Sequence, residues 1–208
     1  TVAAGREYTG RMFGDVKLTA VWEENAAAVK ETVREQNADG TYTDTVVING
    51  KQLYGSVVDL ANYIGAKTGF KAVVITNSGN AFALNNGRFT VVGGQNYDIL
   101  IQRDREQYTF TVKYVMSDGS TAPAVVTKTL RFGQSDSVTS PVVTGYTPDR
   151  TVATVDAITE NTEVTVTYTL DKHNVTVHYV YENGTKAADD KTLTVEYGKT
   201  YSIDSPKI

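Results

Sequence analysis

Tyr108, Phe110, Val112, Tyr114 and Met116 take every second position of a run whose other members are Thr109, Thr111, Lys113 and Val115. A period of two predicts a strand with one buried face. The run ends at Ser117-Asp118-Gly119-Ser120, where Asp-Gly supplies the positive φ of a tight hairpin turn, so Val125 to Arg131 is expected as the return strand. Val164, Val166, Tyr168 and Leu170 alternate with Thr165, Thr167 and Thr169 in a closing strand. Threonine suits the solvent side, because its branched carbon fits the pleat while its hydroxyl faces water. Between these strands Pro141, Gly145 and Pro148 punctuate an irregular stretch, and no strong helix is signalled.

The same pattern returns 65 residues later. Thr111-Val112-Lys113-Tyr114-Val115 aligns with Thr176-Val177-His178-Tyr179-Val180, Asp118-Gly119 with Asn183-Gly184, Leu130-Arg131-Phe132-Gly133 with Val195-Glu196-Tyr197-Gly198, and Ser140-Pro141 with Ser205-Pro206. Four ungapped matches in one register identify an internal repeat. One unit is expected over residues 108–172, and a partial second one over 173–208.

The N-terminal half changes period. Asn25 to Asn37 reads as a helix, with Ala26, Val29 and Val33 on one side, Lys30, Glu31, Arg34 and Glu35 elsewhere, and Ala38-Asp39-Gly40 as its stop. A second helix is predicted from Ser56, with Asp59 three residues on as a capping box and Val57, Leu60, Ala61 and Ile64 as its apolar stripe up to Gly65. A hairpin is expected ahead of it, Thr43 to Ile48 and Lys51 to Tyr54 around Asn49-Gly50, and strands behind it near 72–76, 81–84, 88–92 and 97–102. Hairpin, helix, then strands is the element order of an α+β, β-grasp-like domain, expected over residues 24–107. Val16 to Trp22 reads as a strand of a separate segment, 1–23, whose partner lies either upstream or at the edge of the following domain. The opening residues lack the apolar core of a signal peptide, so the chain reads as a fragment or mature segment.

Composition narrows the chemistry. The 208 residues include no cysteine and two histidines, which excludes a disulfide framework, a thiolate nucleophile and a zinc ribbon. A net charge of −4 without a Lys/Arg cluster argues against a nucleic-acid partner. Glu106, Asp118, Asp136 and Glu163 fall on turns or outward strand positions, where a carboxylate is ordinarily solvated rather than catalytic. His178 stands where the other repeat has Lys113, so it is read as an exposed cation, and His173 as a linker residue. Gly93-Gly94 follows a strand but lacks the Lys and Ser/Thr of a phosphate loop. Asp149 and Asp189-Asp190 lack the alternating oxygen ligands of a calcium loop. Most repeat tyrosines, Tyr108, Tyr114, Tyr168, Tyr179 and Tyr181, fall on the apolar face; Tyr146 is the half-exposed ring with the best claim to stack on a sugar, and anchoring of the irregular stretch is its favoured role. An isopeptide link from Lys113 is opposed by His178 at the equivalent position. No catalytic, metal or cofactor residue is assigned, and the ligand-binding residues are left open.

The second half resembles the mucin-binding-protein, or MucBP, repeats of Gram-positive surface proteins. The resemblance rests on Thr111 to Val115, Ser117-Asp118-Gly119, Phe132-Gly133, Gly145-Tyr146 and Glu163 to Tyr168; Thr144 stands where the family's Pro-Gly-Tyr element has proline. The short Val16 to Trp22 strand also looks like the last strand of an internalin-type B repeat. The MucBP resemblance implies ubiquitin-like or related β-rich modules and a monomeric, elongated, extracellular protein held at the cell wall by regions outside this chain. It also implies no catalytic residues and no membrane insertion in this segment. Host mucin or another glycoprotein is the implied partner. A stalk without a ligand and an accessory module of a surface hydrolase are the alternatives.

Overall fold

The computed structural model describes residues 13–15 and 25–207; the strand expected at Val16 to Trp22 lies outside them. Strands account for nearly all the regular structure, and the chain divides into two units, 1–105 and 106–208.

The first unit contains β1 (Ala26–Gln36), β2 (Tyr42–Leu53), β3 (Val57–Asp59), α1 (Ala61–Ile64), β4 (Val74–Asn77), β5 (Asn80–Ala81), β6 (Arg88–Thr90) and β7 (Tyr97–Arg103). Its main sheet has the order β2-β1-β7-β4-β5, with β1 parallel to β7 and the other neighbours antiparallel. A small ribbon, β3-β6, lies apart from that sheet. The second unit contains β8 (Gln107–Met116), β9 (Val126–Arg131), β10 (Asp136–Thr139), β11 (Tyr146–Pro148), β12 (Val152–Val155) and β13 (Thr162–Leu170). Its four-stranded sheet runs β9-β8-β13-β11, again with a parallel pair, β8 beside β13, and a second ribbon pairs β10 with β12. A hairpin of β14 (Lys172–Val180) and β15 (Lys186–Glu196) follows, 65 residues on from the β8-β9 pair.

The two units thus share one strand plan, although only the second shows it plainly in sequence. The predicted strands of the second unit form where expected, from Asp118-Gly119 with its positive φ of 77° at Gly119 to the closing strand ending at Leu170. Phe110, Val112, Tyr114, Met116, Leu130, Ile158, Val166 and Tyr168 form its core. Tyr114 meets Tyr168 edge-on at 6.1 Å, the favoured geometry for two rings with negative faces and positive rims. Tyr181 departs from its expected place: it follows Val180, the last residue of β14, and is exposed, as Val175 earlier in the same strand is.

The first unit corrects three expectations. Ala26–Gln36 is a strand, although Ala, Lys, Glu, Arg and Gln favour helix. It is paired on both sides, to β2 and β7, and burial against those neighbours overrides propensity. Its core-facing residues alternate as Ala27, Val29, Glu31 and the partly buried Val33, and the charged Glu31 inside that series hides the period of two in the sequence; the bulge opposite Glu31 and Thr32 leaves Val47 of β2 unpaired. Asn49-Gly50 makes no hairpin turn; β2 runs straight through it, with Asn49 opposite Lys30 and Gly50 opposite Val29. The second helix shrinks to the four residues of α1. Ser56 does not cap it: its hydroxyl donates to the Leu53 carbonyl, while Asp59 accepts the Ala61 N–H at 2.9 Å and is held by Arg88. The sheet packed on one long helix is therefore not found among the described residues.

Leu60, Val91, Ile99 and Ile101 fill the first core, and Phe82, Phe89 and Tyr97 pack ring against ring beside them. Arg103 is buried yet satisfied, donating to the backbone carbonyls of Gly65 and Tyr63, and so ties the segment after α1 to the sheet. Glu31 is not satisfied. Its side chain is fully buried, neither carboxylate oxygen has a hydrogen-bond partner, and burial pushes its pKa up from 4.5 to about 7. Since the folded state holds this proton more tightly than the unfolded chain, the contribution of Glu31 to stability is most favourable below pH 4.5 and declines as pH rises towards about 7. The decline is expected to amount to about 3 kcal/mol at most. Urea midpoints measured between pH 5 and 8 should fall for the wild-type chain and change much less for Glu31→Gln; parallel curves for the two would show that Glu31 does not carry the effect.

Candidate functional site

Two of the second unit's motif elements, Ser117-Asp118-Gly119 and Gly145-Tyr146, meet at its hairpin tip. Asp118 closes an Asx turn, accepting the Ser120 N–H at 3.1 Å and the Ser120 hydroxyl at 2.7 Å. The Tyr146 hydroxyl donates to the same carboxylate at 2.8 Å, so the irregular stretch from Pro141 is pinned to the hairpin through its one Gly-Tyr element. These donors, the Ser120 hydroxyl foremost, hold the Asp118 carboxyl down at about 2. The turn is built a second time: Asn183 accepts from the Thr185 N–H at 3.0 Å and the Thr185 hydroxyl at 2.7 Å. Tyr146, the ring with the best claim to a sugar, thus has its polar end committed to the fold.

The other candidate carboxylates each serve a separate local pair. Glu106 accepts the Tyr108 hydroxyl at 2.6 Å, Asp136 holds Lys128 at 2.9 and 3.0 Å, and Glu163 meets Lys113 at 2.7 Å across the parallel pair. Lys113 is half-exposed in that ion pair. His178 Nδ1 lies 2.9 Å from Asp190 across the β14-β15 hairpin, with both side chains in solvent. Asp149 accepts the Thr167 N–H, and Asp189 pairs with Lys186. Among the described residues no group of three or more His, Asp or Glu stands close enough to hold a metal ion. Gly93-Gly94 forms a turn, with Gly94 at φ 77° and the Val92 N–H donating to the Tyr97 hydroxyl.

A broader polar surface, which no motif announces, covers the outer face of the first unit's sheet. Arg34 makes a two-pronged contact with Asp44, both bonds at 2.7 Å, and its guanidinium lies 5.8 Å from the Tyr42 ring centre. The Tyr42 hydroxyl donates to Asp104 at 2.9 Å, and Gln102 donates to the same carboxylate at 3.0 Å. Beside them is a shallow concavity of about 260 Å³ lined by Lys30, Thr32, Arg34, Asp44, Thr76 and Asp98 among others. Planar hydrogen-bonding groups beside one exposed ring can meet a sugar's hydroxyls, but here they are joined first to one another. The sequence signal for this surface is the polar set on alternate positions of β1, which a helical period scatters.

Replacing Tyr146 with Phe should release one donor from Asp118 and raise its pKa towards 3.8. The contribution of this carboxylate to stability is present above that value and is lost as pH falls through about 2. Carboxyl-carbon NMR titration of Asp118 in the variant reads the change directly; an unaltered midpoint would show that the Tyr146 hydroxyl does not act on it.

No curated protein matches this chain. Among solved structures it is similar to the crystal structure of Mub-RV, at 16% identity over 68% of this chain and 98% of that one, with a TM-score of 0.26. It is also similar to the type 2 repeat of the mucus binding protein MUB from Lactobacillus reuteri, at 18% identity over 68% and 99% of the two chains, with a TM-score of 0.28. The Bacillus anthracis TIE protein matches at 8% identity over 86% of this chain and 45% of that one, with a TM-score of 0.45. The family model of the MucBP domain matches residues 109–169 and again 174–208, so these two segments are MucBP domain sequence.

Proposed function

We propose that this chain is a non-enzymatic segment of a bacterial surface protein that contacts host mucus glycoproteins through tandem repeats. The observation that carries the reading is the pair of MucBP segments in one register, with the Asx turn at Asp118 rebuilt at Asn183. A repeated module offers the same weak surface several times, and avidity multiplies contacts that are individually slight. The family match over both segments supports the choice of partner. The separate engagement of Glu106, Asp118, Asp136 and Glu163 supports a binding rather than a hydrolytic role, since acid/base work needs two carboxylates facing one bond. Among the described residues no helix is long and apolar enough to cross a membrane. Attachment at a Gram-positive cell wall through other regions belongs to the same proposal.

We also read residues 24–107 as a β-grasp-type domain whose helix is reduced to one turn, followed by repeats at 108–172 and 173–208. The parallel pairs β1-β7 and β8-β13 inside the two main sheets support this reading. A spacer role is the second reading. It is favoured by the commitment of Tyr114, Tyr146 and Tyr168 to cores and anchors, which leaves those rings little face for a sugar.

The two readings separate in surface-immobilised binding of the whole chain, as a monomer and as a tandem multimer, to mucin before and after removal of its glycans. Adhesion predicts retention that rises with valency and drops on deglycosylation. No retention even by the multimer would sink adhesion and leave the spacer.

A further inference from the structure

The last residues of β13 and the first of β14 are separated by Asp171 alone, and this residue is held from three sides. Its N–H donates to the Gly145 carbonyl at 2.8 Å, its own carbonyl accepts the Tyr197 N–H at 2.8 Å, and its carboxylate accepts the Thr147 hydroxyl at 2.6 Å. Gly145 and Tyr197 belong to the Gly-Tyr element of one repeat and the Tyr-Gly element of the next. They also touch directly: a Cβ built on Gly145 would collide with Cδ1 of the Tyr197 ring and lie 2.6 Å from its Cε1. Only a bare Cα lets the ring lie there, and Gly145 has in addition a φ of 80° that L side chains rarely adopt.

The receiving surface is fixed from below by the Tyr146 hydroxyl on Asp118 and by the Tyr146 N–H on the Val143 carbonyl. The entering side is equally fixed. Tyr197 sits at the end of β15, followed by Gly198 at φ 70°, with the Lys199 N–H closing a turn on Glu196. His173, at the start of β14, faces the same ring at 6.3 Å. The arrangement on the entering side is rebuilt 65 residues earlier, where the Phe132 N–H donates to the Glu106 carbonyl at 2.9 Å and Gly133 follows at φ 77°.

We propose that these two motif elements form the joint between consecutive repeats: the Cα face of Gly145 is a receptor for the aromatic ring of the following repeat's Tyr-Gly turn, and Asp171 is the clasp that sets the ring on it. The partner this surface fits is the hairpin of the next repeat, with an aromatic at the 132/197 position. The role goes beyond adhesion and does not depend on it, since a fixed joint orients neighbouring repeats whether or not either binds a glycan. With a single connecting residue the backbone already restricts rotation, and the ring contact removes much of what remains.

The test uses the whole chain and reads amide residual dipolar couplings in β8–β13 and in β14–β15. Wild type and Tyr197→Phe should fit one alignment tensor across both parts. Gly145→Ala and Tyr197→Ala should give the hairpin a separate tensor of reduced order. Gly119→Ala is the control, because Gly119 shares the positive φ, at 77°, yet has nothing within 4 Å of the added Cβ; it should leave the single tensor intact. Should Tyr197→Ala lose the amide protection of Val175 and Val177, Gly145→Ala, which alters no hairpin residue, decides the question. A single tensor in Gly145→Ala, or release of the hairpin by Gly119→Ala to the same degree, would overturn the proposal.

Discussion

Parallel pairing of β1 with β7 and of β8 with β13 holds each sheet together, because it is the contact through which a chain of mostly antiparallel ribbons acquires a closed core. In the second unit β8 runs beside β13 from Phe110 opposite Thr162 to Met116 opposite Tyr168. In the first, β1 runs beside β7 from Val29 opposite Tyr97 to Glu35 opposite Arg103. Two parallel strands cannot be joined by a tight turn, so everything between them must travel out and return. That excursion is where the hairpin partner, the small ribbon and the irregular stretch are placed. The central strands supply the core: Phe110, Val112, Tyr114, Val166 and Tyr168 in one unit, Val29, Ile99 and Ile101 in the other.

The motif residues make sense against that constraint. A returning chain needs fixed points on its outward path, and the second unit has them at Asp118, which binds Tyr146, and at the Pro141 carbonyl, which accepts the Tyr168 hydroxyl at 2.5 Å. Residues that look chemically available in sequence are therefore used for positioning. Lys113 with Glu163 and Lys128 with Asp136 are exposed or half-exposed pairs that contribute little stability each. Their main consequence here is that none of these carboxylates faces another across a cleft. Glu31 is the exception to this economy, a buried carboxyl with no partner in the middle of a strand. Its cost is contained by holding the proton to higher pH than a free carboxyl does, and the bulge opposite it lies in β2, at Val47.

Gly145 shows how a residue type and its reason can be separated. In sequence it is one glycine of a broken Pro-Gly-Tyr element, a point of punctuation. In the folded chain its missing side chain is the space occupied by Tyr197, a residue 52 positions away along the sequence. A glycine required by backbone conformation and a glycine required by a neighbour look the same in a sequence, and here one residue answers to both.

The sequence by itself determined the opening, return and closing strands β8, β9 and β13, the Asp118-Gly119 turn and the 65-residue repeat, because each depends on local rules of alternation, Asp-Gly turn chemistry and threonine on the wet face, whereas the short strands β10, β11 and β12 read as an irregular stretch. It also determined the relation to the MucBP family, carried by those same short motifs. Only the tertiary structure decided that Ala26–Gln36 is a strand, since its helix-favouring residues are outweighed by pairing on both sides, with a parallel partner 68 positions further along the chain. Only the tertiary structure placed Glu31 without a partner, satisfied Arg103 on the carbonyls of Tyr63 and Gly65, and laid Tyr197 on Gly145. Periodicity reports which side of an element faces inward, and it carries no information on which distant residue will be waiting there.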